Sequence, residues 1–220
     1  MSGWQGEIVE SRSTELVAQS YEQGAAPPFG SLLCSTVAEG LTLYAVVYQV
    51  CTTGIDPGSR PVVRGQPGLR DKAIYDANPD LSQVLRTDIA ALLVGYHEGP
   101  LLRQVIPPLP PPLHWTAYEC EPEVCREFGT DTAYLRTLVD ATQAPADELI
   151  GAHVRLMDAY AEPGDAYLLR AGRELAELLR SDYPRLRSIV ERVRPRGLGV
   201  EDRHRRNAQA QQNHGYGISR

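Results

Sequence analysis

LTLYAVVYQVCTTGIDPGSRPVVRG, residues 41–65, is the stretch around which the rest of the chain is organised. It opens with an almost unbroken run of apolar, β-branched and aromatic residues from Leu41 to Cys51, which predicts a long buried strand. A turn at 54–58, GIDPG, interrupts the run, which resumes at 60–65, RPVVRG. The segments around this stretch are expected to pair with it.

Shorter strand-like segments precede the central stretch, and a second strongly apolar run follows it. Antiparallel strands of this length often close into a barrel, which removes exposed strand edges. Between the two apolar runs, a polar loop leads to a short helix with Leu81, Val84 and Leu85 on one side. The further predicted strands are WQGEIVE (4–10), TELVAQS (14–20), SLLCSTV (31–37), TDIAALLVG (87–95) and 101–106.

A proline run, PPLPPP at 107–112, marks the clearest boundary in the chain. Consecutive prolines favour an extended polyproline II segment, which acts as a semi-rigid spacer. The same segment also suits an aromatic groove of the SH3 type, but the spacer is the favoured interpretation. The sequence thus predicts a barrel over 1–106, a linker over 107–112, a helical domain over 113–195 and a disordered basic tail over 196–220.

The second half changes to helical periodicity. Within 145–160, apolar residues recur at steps of three and four around Leu149, Val154 and Met157, and similar stripes follow in 166–180 and 184–193. Strands followed by helices along one chain are typical of the α+β class. We therefore expect a small N-terminal antiparallel β-barrel followed by an α-helical C-terminal region.

Charge is distributed unevenly along the chain. The net charge of −6 divides into −4 for residues 1–110, −8 for 111–183 and +6 for 184–220. An acidic body does not suit a nucleic-acid backbone, so a nucleic-acid contact is expected only through the basic tail. A solubilising role for that tail is the favoured alternative.

The N-terminus and the cysteines predict a cytoplasmic location. The chain begins without a basic segment followed by an apolar one, and no apolar run approaches a membrane span in length. We therefore expect no membrane contact and reduced thiols. The four cysteines are Cys34, Cys51, Cys120 and Cys125.

Cys120 and Cys125, with His114 upstream, raise the question of a zinc site. Structural zinc sites favour two close pairs of ligands, and the second pair is missing because Cys34 and Cys51 lie in predicted strands. Ordinary cysteines, buried or half-exposed, are therefore favoured, and we expect neither a metal nor a cofactor.

The loop after the central strand is the candidate contact site. Its Thr52, Thr53, Asp56, Arg60 and Arg64 lie on a predicted turn, and loops on rigid scaffolds commonly carry binding residues. The alternative is a solvated turn with a local Asp–Arg pair.

Other candidates for chemistry are weaker. His97 and Glu98 follow the second apolar run, but no nucleophile or second carboxylate is placed with them. His153 lies on an apolar helical stripe, which favours a core histidine bonded to backbone over a ligand. The sequence contains no G-x-S-x-G, H-E-x-x-H or glycine-rich dinucleotide turn, so no catalytic residue is assigned.

Four segments together resemble a known family: GEIVES (6–11), TELVA (14–18), GSLLC (30–34) and YAVVYQV (44–50). The series resembles the HAS barrel, the small β-barrel at the N-terminus of HerA-type hexameric ATPases and of rotary ATP synthase subunits. Ala45 stands where that family often has glycine. TTGIDPGSRPVVRG (52–65) and LRTDIAALLVGYHEG (85–99) are more similar still to a group of stand-alone HAS-barrel proteins of cyanobacteria.

The chain departs from those ATPases in one respect. It has no G-x-x-x-x-G-K-[ST] loop, and its single lysine, Lys72, follows GLRD. The resemblance therefore implies the part of such a machine that mediates contacts between subunits or with partners. We expect a non-catalytic interaction or assembly module that self-associates or binds a protein. The alternatives are an accessory factor for a nucleic-acid-processing ATPase or nuclease machine and, less favoured, an unrecognised hydrolase.

Overall fold

The computed structural model describes residues 3–22, 24–56, 58, 60–162 and 166–193. Within these ranges the chain forms seven strands and then a set of helices, with two short helices between β4 and β5. The strands are β1 (Gln5–Ser11), β2 (Glu15–Ser20), β3 (Leu32–Ala38), β4 (Leu41–Gly54), β5 (Leu85–Glu98), β6 (Leu101–Arg103) and β7 (Thr116–Glu119). The helices are α1 (Lys72–Ala77), α2 (Leu81–Val84), α3 (Pro122–Phe128), α4 (Leu135–Val139), α5 (Ala146–Tyr160), α6 (Tyr167–Leu178) and α7 (Tyr183–Val193).

Six of the strands close into an antiparallel barrel in the order β2-β1-β7-β3-β4-β5, and β5 pairs back onto β2. Strand β6 extends the sheet from the far end of β5. Register shifts within the β1–β2 and β4–β5 pairs mark β-bulges, which bend strands and help a small barrel to close. The predicted α+β class, with a barrel followed by helices, is confirmed.

The barrel interior is narrow and is filled by one face of each strand. Alternate residues Leu43, Ala45 and Val47 of β4 point inward, and Ile89, Ala91 and Leu93 of β5 do the same. Small barrels have room for few large side chains, which explains the alanines among them.

The opposite faces of β4 and β5 are also buried. Tyr44 and Val46 of β4, with Leu92 and Val94 of β5, pack against the helices in a second core. Burial on both faces explains why these two strands are apolar at nearly every position instead of alternating.

The central stretch is buried only in its first half, which corrects the predicted long buried strand. Pairing with β3 ends at Val46, and Val47 bonds through its backbone to Gly30 and Ser31 just before β3. Beyond Val47, β4 pairs along the described part of the chain with β5 alone. Val50 and Cys51 are exposed there. Residues 60–65 do not resume the strand: they have no regular secondary structure, and Pro61 cannot donate to a ladder.

Strand β7 lies beyond the predicted boundary of the barrel. Thr116–Glu119 falls within the range predicted to be helical, yet it pairs with β1 on one side and with β3 on the other. The barrel therefore takes its closing strand from beyond the proline run at 107–112. The range predicted as a helical domain, 113–195, therefore begins with a strand, because four residues carry too little periodicity to show one.

The helical layer is centred on α5, which packs against α3, α4, α6 and α7. Its apolar face carries Leu149, Ile150, Val154 and Met157, all buried as the spacing predicts. These side chains share one core with the outer faces of β4 and β5, so the helices cover one side of the barrel wall.

Candidate functional site

A pocket of about 410 Å³ lies beyond the barrel, at the end of the β4–β5 pair. It is formed where the chain leaves β4, runs through the following loop and returns by α2 into β5. The amide of Ile55 donates to the carbonyl oxygen of Val84 at 3.0 Å, which holds the two ends together. The pocket is lined by Gly54, Ile55, Asp56, Arg60, Pro61, Val62, Arg64, Leu81, Gln83, Val84 and Leu85.

Three of the five predicted contact residues meet at this pocket, namely Asp56, Arg60 and Arg64. Asp56 also orders its own turn, because its Oδ1 accepts a hydrogen bond from the amide of Gly58 at 3.0 Å. The pocket therefore carries two guanidinium groups and one carboxylate on a lining that, apart from these groups and Gln83, is apolar.

Arg64 is held from the neighbouring segment. Its Nη1 lies 3.1 Å from Oδ2 of Asp80 and 3.4 Å from Oδ1 of Asn78. The ion pair joins the loop to the turn that precedes α2. Since both side chains are substantially exposed, this pair contributes little to stability and serves mainly to orient the guanidinium.

Thr52 and Thr53 are placed differently from the prediction. Thr52 Oγ1 lies 2.9 Å from Thr87 Oγ1 across the strands, and Thr53 pairs with Arg86 in the β4–β5 ladder. Neither residue lines the pocket. They belong to the sheet that supports the loop.

Apolar side chains surround the pocket and face solvent. Val62 is 73% exposed and Val63 is 91% exposed, and Ile55 and Val84 are about half exposed. Clustered exposed aliphatic side chains beside charged ones are typical of protein contact surfaces. We call Ile55, Val62, Val63 and Val84, together with Arg60 and Arg64, the loop surface.

Sequence reasoning missed the contribution of α2 to this site. The apolar side of Leu81, Val84 and Leu85 was visible in the pattern, but the pattern cannot tell what it packs against. One signal in the sequence could have revealed the place of α2. Two long apolar runs that pair as antiparallel strands bring the end of β4 next to the start of β5, and α2 directly precedes β5.

The cysteines and His114 have different partners and do not form one site. Cys120 and Cys125 are buried, and the Cys125 thiol donates to the carbonyl oxygen of Cys120 at 3.7 Å. His114 instead places Nδ1 2.6 Å from Oε1 of Glu7 on β1. In the described part of the chain, no three His, Cys, Asp or Glu side chains form a group that could hold a metal ion. Cys51 is exposed, which corrects its predicted place in a strand core.

His97 and Glu98 do not act on one another. His97 Nδ1 lies 3.0 Å from the Tyr44 hydroxyl, and its Nε2 lies 3.6 Å from Glu127. Glu98 instead faces Arg103 at 3.8 Å. The two neighbours in sequence point to different partners, so they do not form an acid–base pair.

His153 lies in a buried chain of hydrogen bonds, as predicted for a core histidine. Its Nδ1 lies 2.7 Å from the carbonyl oxygen of Gly30, and its Nε2 lies 2.9 Å from the Tyr134 hydroxyl. That hydroxyl lies 2.9 Å from the Tyr167 hydroxyl. Burial lowers the pKa of His153 to about 4, so the ring is neutral near pH 7.

Neutral histidine fixes the direction of these bonds. Nδ1–H donates to Gly30, so Nε2 must accept from Tyr134, and the Tyr134 oxygen accepts from Tyr167. Burial raises the pKa of both tyrosines well above the usual value, which keeps both hydroxyls protonated. The chain of bonds links α5, α6 and the residue before α4 to the segment that leads into β3.

The predicted basic tail at 196–220 lies outside the described residues. Arg192, which is described, is engaged within the helical layer by Glu148 at 2.5 Å. Across the described residues, no helix combines the length and apolarity needed to cross a membrane.

Comparison with known proteins does not assign the chain to a family. No model of a protein family matches the chain, and no curated protein matches it. The geometry of the site therefore carries the functional argument.

Proposed function

We propose that this chain is a non-catalytic protein-interaction or assembly module, built on a HAS-type barrel, that binds its partner through the loop surface. The observation that carries the proposal is the pair of exposed valines, Val62 and Val63, beside the arginine-lined pocket. The barrel and the helices supply a rigid scaffold, and the loop supplies the contact.

The energetics of the loop surface favour a protein as the partner. Fully burying one valine stabilises a complex by about 1.5 kcal/mol or more, while leaving it in water gains nothing. Arginine is enriched at protein interfaces because its planar group pairs with carboxylates in two-point geometry. A partner segment with aliphatic side chains and a carboxylate would therefore suit Val62, Val63 and Arg60.

The titratable side chains that line the pocket support recognition more than catalysis. They are Asp56, Arg60 and Arg64, and Arg64 is already oriented by Asp80. Two cations and one anion can fix the register of a bound peptide. Such a set contains no serine, cysteine or lysine nucleophile with a base beside it.

An accessory role in nucleic-acid processing is the second candidate. It rests on the excess positive charge in residues 184–220, which carry nine arginines against three acidic residues. Binding of that kind would weaken steeply as salt rises, because it releases counterions from the phosphate backbone. Contact through the loop surface is largely apolar and would weaken much less.

Light scattering at low and high salt is the first test, because it reports self-association. If the chain binds copies of itself, the solution mass exceeds that of one chain at both salt concentrations. The double variant Val62→Asp/Val63→Asp then returns it to a monomer. Leu169→Asp, at an exposed leucine of α6, is the matched control and leaves the mass unchanged.

A monomer at both salt concentrations would exclude self-association and direct the search to a different protein. Loss of binding on removing residues 194–220, together with steep salt dependence, would instead favour the nucleic-acid role. Retention of partner binding by the double valine variant would overturn the loop surface as the contact site.

A further inference from the structure

Three of the four cysteines lie together where the barrel meets the helical layer. Cys34 is on β3, Cys120 directly follows β7, and Cys125 is on α3. Cys120 and Cys125 belong to the core shared by barrel and helices, and Cys34 packs against it. Neither the fold nor the proposed contact surface explains why three thiols should meet here.

The strand register places Cys34 and Cys120 on one face. Cys34 lies opposite Tyr118, and the amide of Cys120 donates to the carbonyl oxygen of Leu32 at 2.9 Å. Cys120 is thus two residues along the ladder from the partner of Cys34, and residues two apart share a face of a sheet. The two thiols are near enough for each to influence the ionisation of the other.

The two thiols differ in access to solvent. Cys34 is partly exposed and lines a pocket of about 210 Å³ together with Trp4, Tyr118 and Val124. Cys120 is 4% exposed and does not line that pocket. A small oxidant can therefore reach Cys34 first, while Cys120 remains shielded from solvent.

The two thiols ionise differently. The neighbouring Cys120 thiol lowers the pKa of the Cys34 thiol, because it stabilises the Cys34 thiolate. Burial raises the pKa of Cys120, which remains a thiol. A partly exposed sulfur with a neighbouring donor is the nucleophile, and a protonated buried neighbour is the resolving group.

We propose that Cys34 and Cys120 are a peroxide-sensitive thiol pair that closes to a reversible disulfide. The Cys34 thiolate attacks one oxygen of a hydroperoxide, so an S–O bond forms and the O–O bond breaks. The other oxygen leaves as an alkoxide or hydroxide, and Cys34 becomes a sulfenic acid. The Cys120 sulfur then attacks the Cys34 sulfenic acid, an S–S bond forms, and the thiol proton leaves with the hydroxyl as water. A dithiol reductant restores both thiols by exchange.

Closing the disulfide requires a small movement. Diagonal same-face neighbours in an antiparallel sheet lie about 7 Å apart, slightly beyond the spacing that a disulfide prefers. Cys120 lies just after the last residue of β7 and before α3, where the ladder ends. Its segment can shift if the hydrogen bond from the Cys120 amide to the Leu32 carbonyl oxygen is given up, so oxidation is expected to alter the junction between β7 and α3.

The test treats the reduced full-length chain with hydrogen peroxide, blocks remaining thiols with a maleimide under denaturing conditions, and maps the peptides. The expected product lacks two hydrogen atoms, has two fewer blocked thiols and contains a linked pair of peptides carrying Cys34 and Cys120. In Cys120→Ser, Cys34 stops at the sulfenic acid, which a dimedone probe captures. Dithiothreitol reverses the wild-type product.

Cys51→Ser and Cys125→Ser are the matched controls, and both should still form the linked pair. The expected rate of oxidation at Cys34 exceeds that at the exposed Cys51 by about tenfold. Oxidation of Cys51 alone would overturn the proposal, as would a link between Cys120 and Cys125. Circular dichroism confirms that each variant is folded before oxidation.

Discussion

His153 on α5 lies with its Nδ1 2.7 Å from the carbonyl oxygen of Gly30, two residues before β3 begins. Gly30 has a φ of +91°, and a Cβ at this position would lie 2.8 Å from the backbone nitrogen of His153. One glycine thus allows both the backbone turn and the close approach of the longest helix to the barrel. This contact fixes how the helical layer sits on the barrel wall.

Gly30→Ala is expected to destabilise the protein by about 3 kcal/mol or more, since it combines a strained φ with a clash against backbone. The matched control is Gly24→Ala, where φ is +73° and nothing lies within 4 Å of the added Cβ. That change should cost only about 1–2 kcal/mol. Urea unfolding of both variants measures the difference, and equal losses would show that the approach of His153 is unimportant.

His153 makes stability depend on pH. Burial lowers its pKa from 6.5 to about 4 in the folded chain. Between these values the unfolded chain binds a proton that the folded chain does not, so the free energy of unfolding falls as pH falls from 6.5 towards 4. This contribution is complete above 6.5, and its full loss is about 3 kcal/mol.

The measurement is urea unfolding at about pH 7.5 and about pH 5.5, above the range where most carboxylates titrate. Wild type should lose about 1 kcal/mol more than His153→Gln over this interval, because glutamine does not titrate. An equal loss in both proteins would contradict the assigned neutral, buried histidine.

Tyr134 should matter more than Tyr167 in the buried hydrogen-bond chain. Tyr134→Phe leaves both His153 Nε2 and the Tyr167 hydroxyl without a partner, at a cost of about 3 kcal/mol. Tyr167→Phe removes only the donor to Tyr134 and should cost about 1 kcal/mol. Thermal or urea unfolding ranks the two variants. The reverse order would contradict the central place of Tyr134 in this chain of bonds.

Gln104 joins the segment after β6 to α3 and to the residues before α4 in the helical layer. Its side chain is buried, donates to the carbonyl oxygens of Phe128 at 2.7 Å and Asp131 at 3.0 Å, and accepts from the Tyr134 amide at 3.2 Å. Gln104→Met keeps the size but leaves these backbone groups unpaired, with an expected loss of about 3 kcal/mol.

Gln49→Met, at an exposed position of β4, is the control for Gln104→Met and should change the free energy of unfolding by about 0.5 kcal/mol or less. Similar losses at the two positions would mean that the buried amide is not a specific connection.

Much of the fold was predictable because long apolar runs leave few alternatives. The central stretch and the run at 87–95 indicated β4 and β5, and the stripe around Leu149 indicated α5. Strand β7 was not predictable, since its four residues follow a proline run and gain their strand conformation only from neighbours distant in sequence. The close approach at Gly30 also depends on two segments that meet only in the folded chain.

The candidate site was predictable in part. Asp56, Arg60 and Arg64 share a turn, so their proximity followed from the local sequence. Thr52 and Thr53 lie in β4 and not in the loop, because β4 extends to Gly54, beyond the end of the apolar run. The contribution of α2 required knowledge that β4 and β5 pair to their ends.

Binding of a protein partner by the loop surface is the interaction on which the proposed function depends. We would test it with a photo-reactive amino acid introduced at Val63 in the native cell, with the same probe at Tyr183 on α7, also highly exposed, as the control. We expect a discrete crosslinked species at position 63 that is lost with Arg60→Glu/Arg64→Glu, and none at position 183. Crosslinks of equal yield at both positions, or none at position 63, would contradict it.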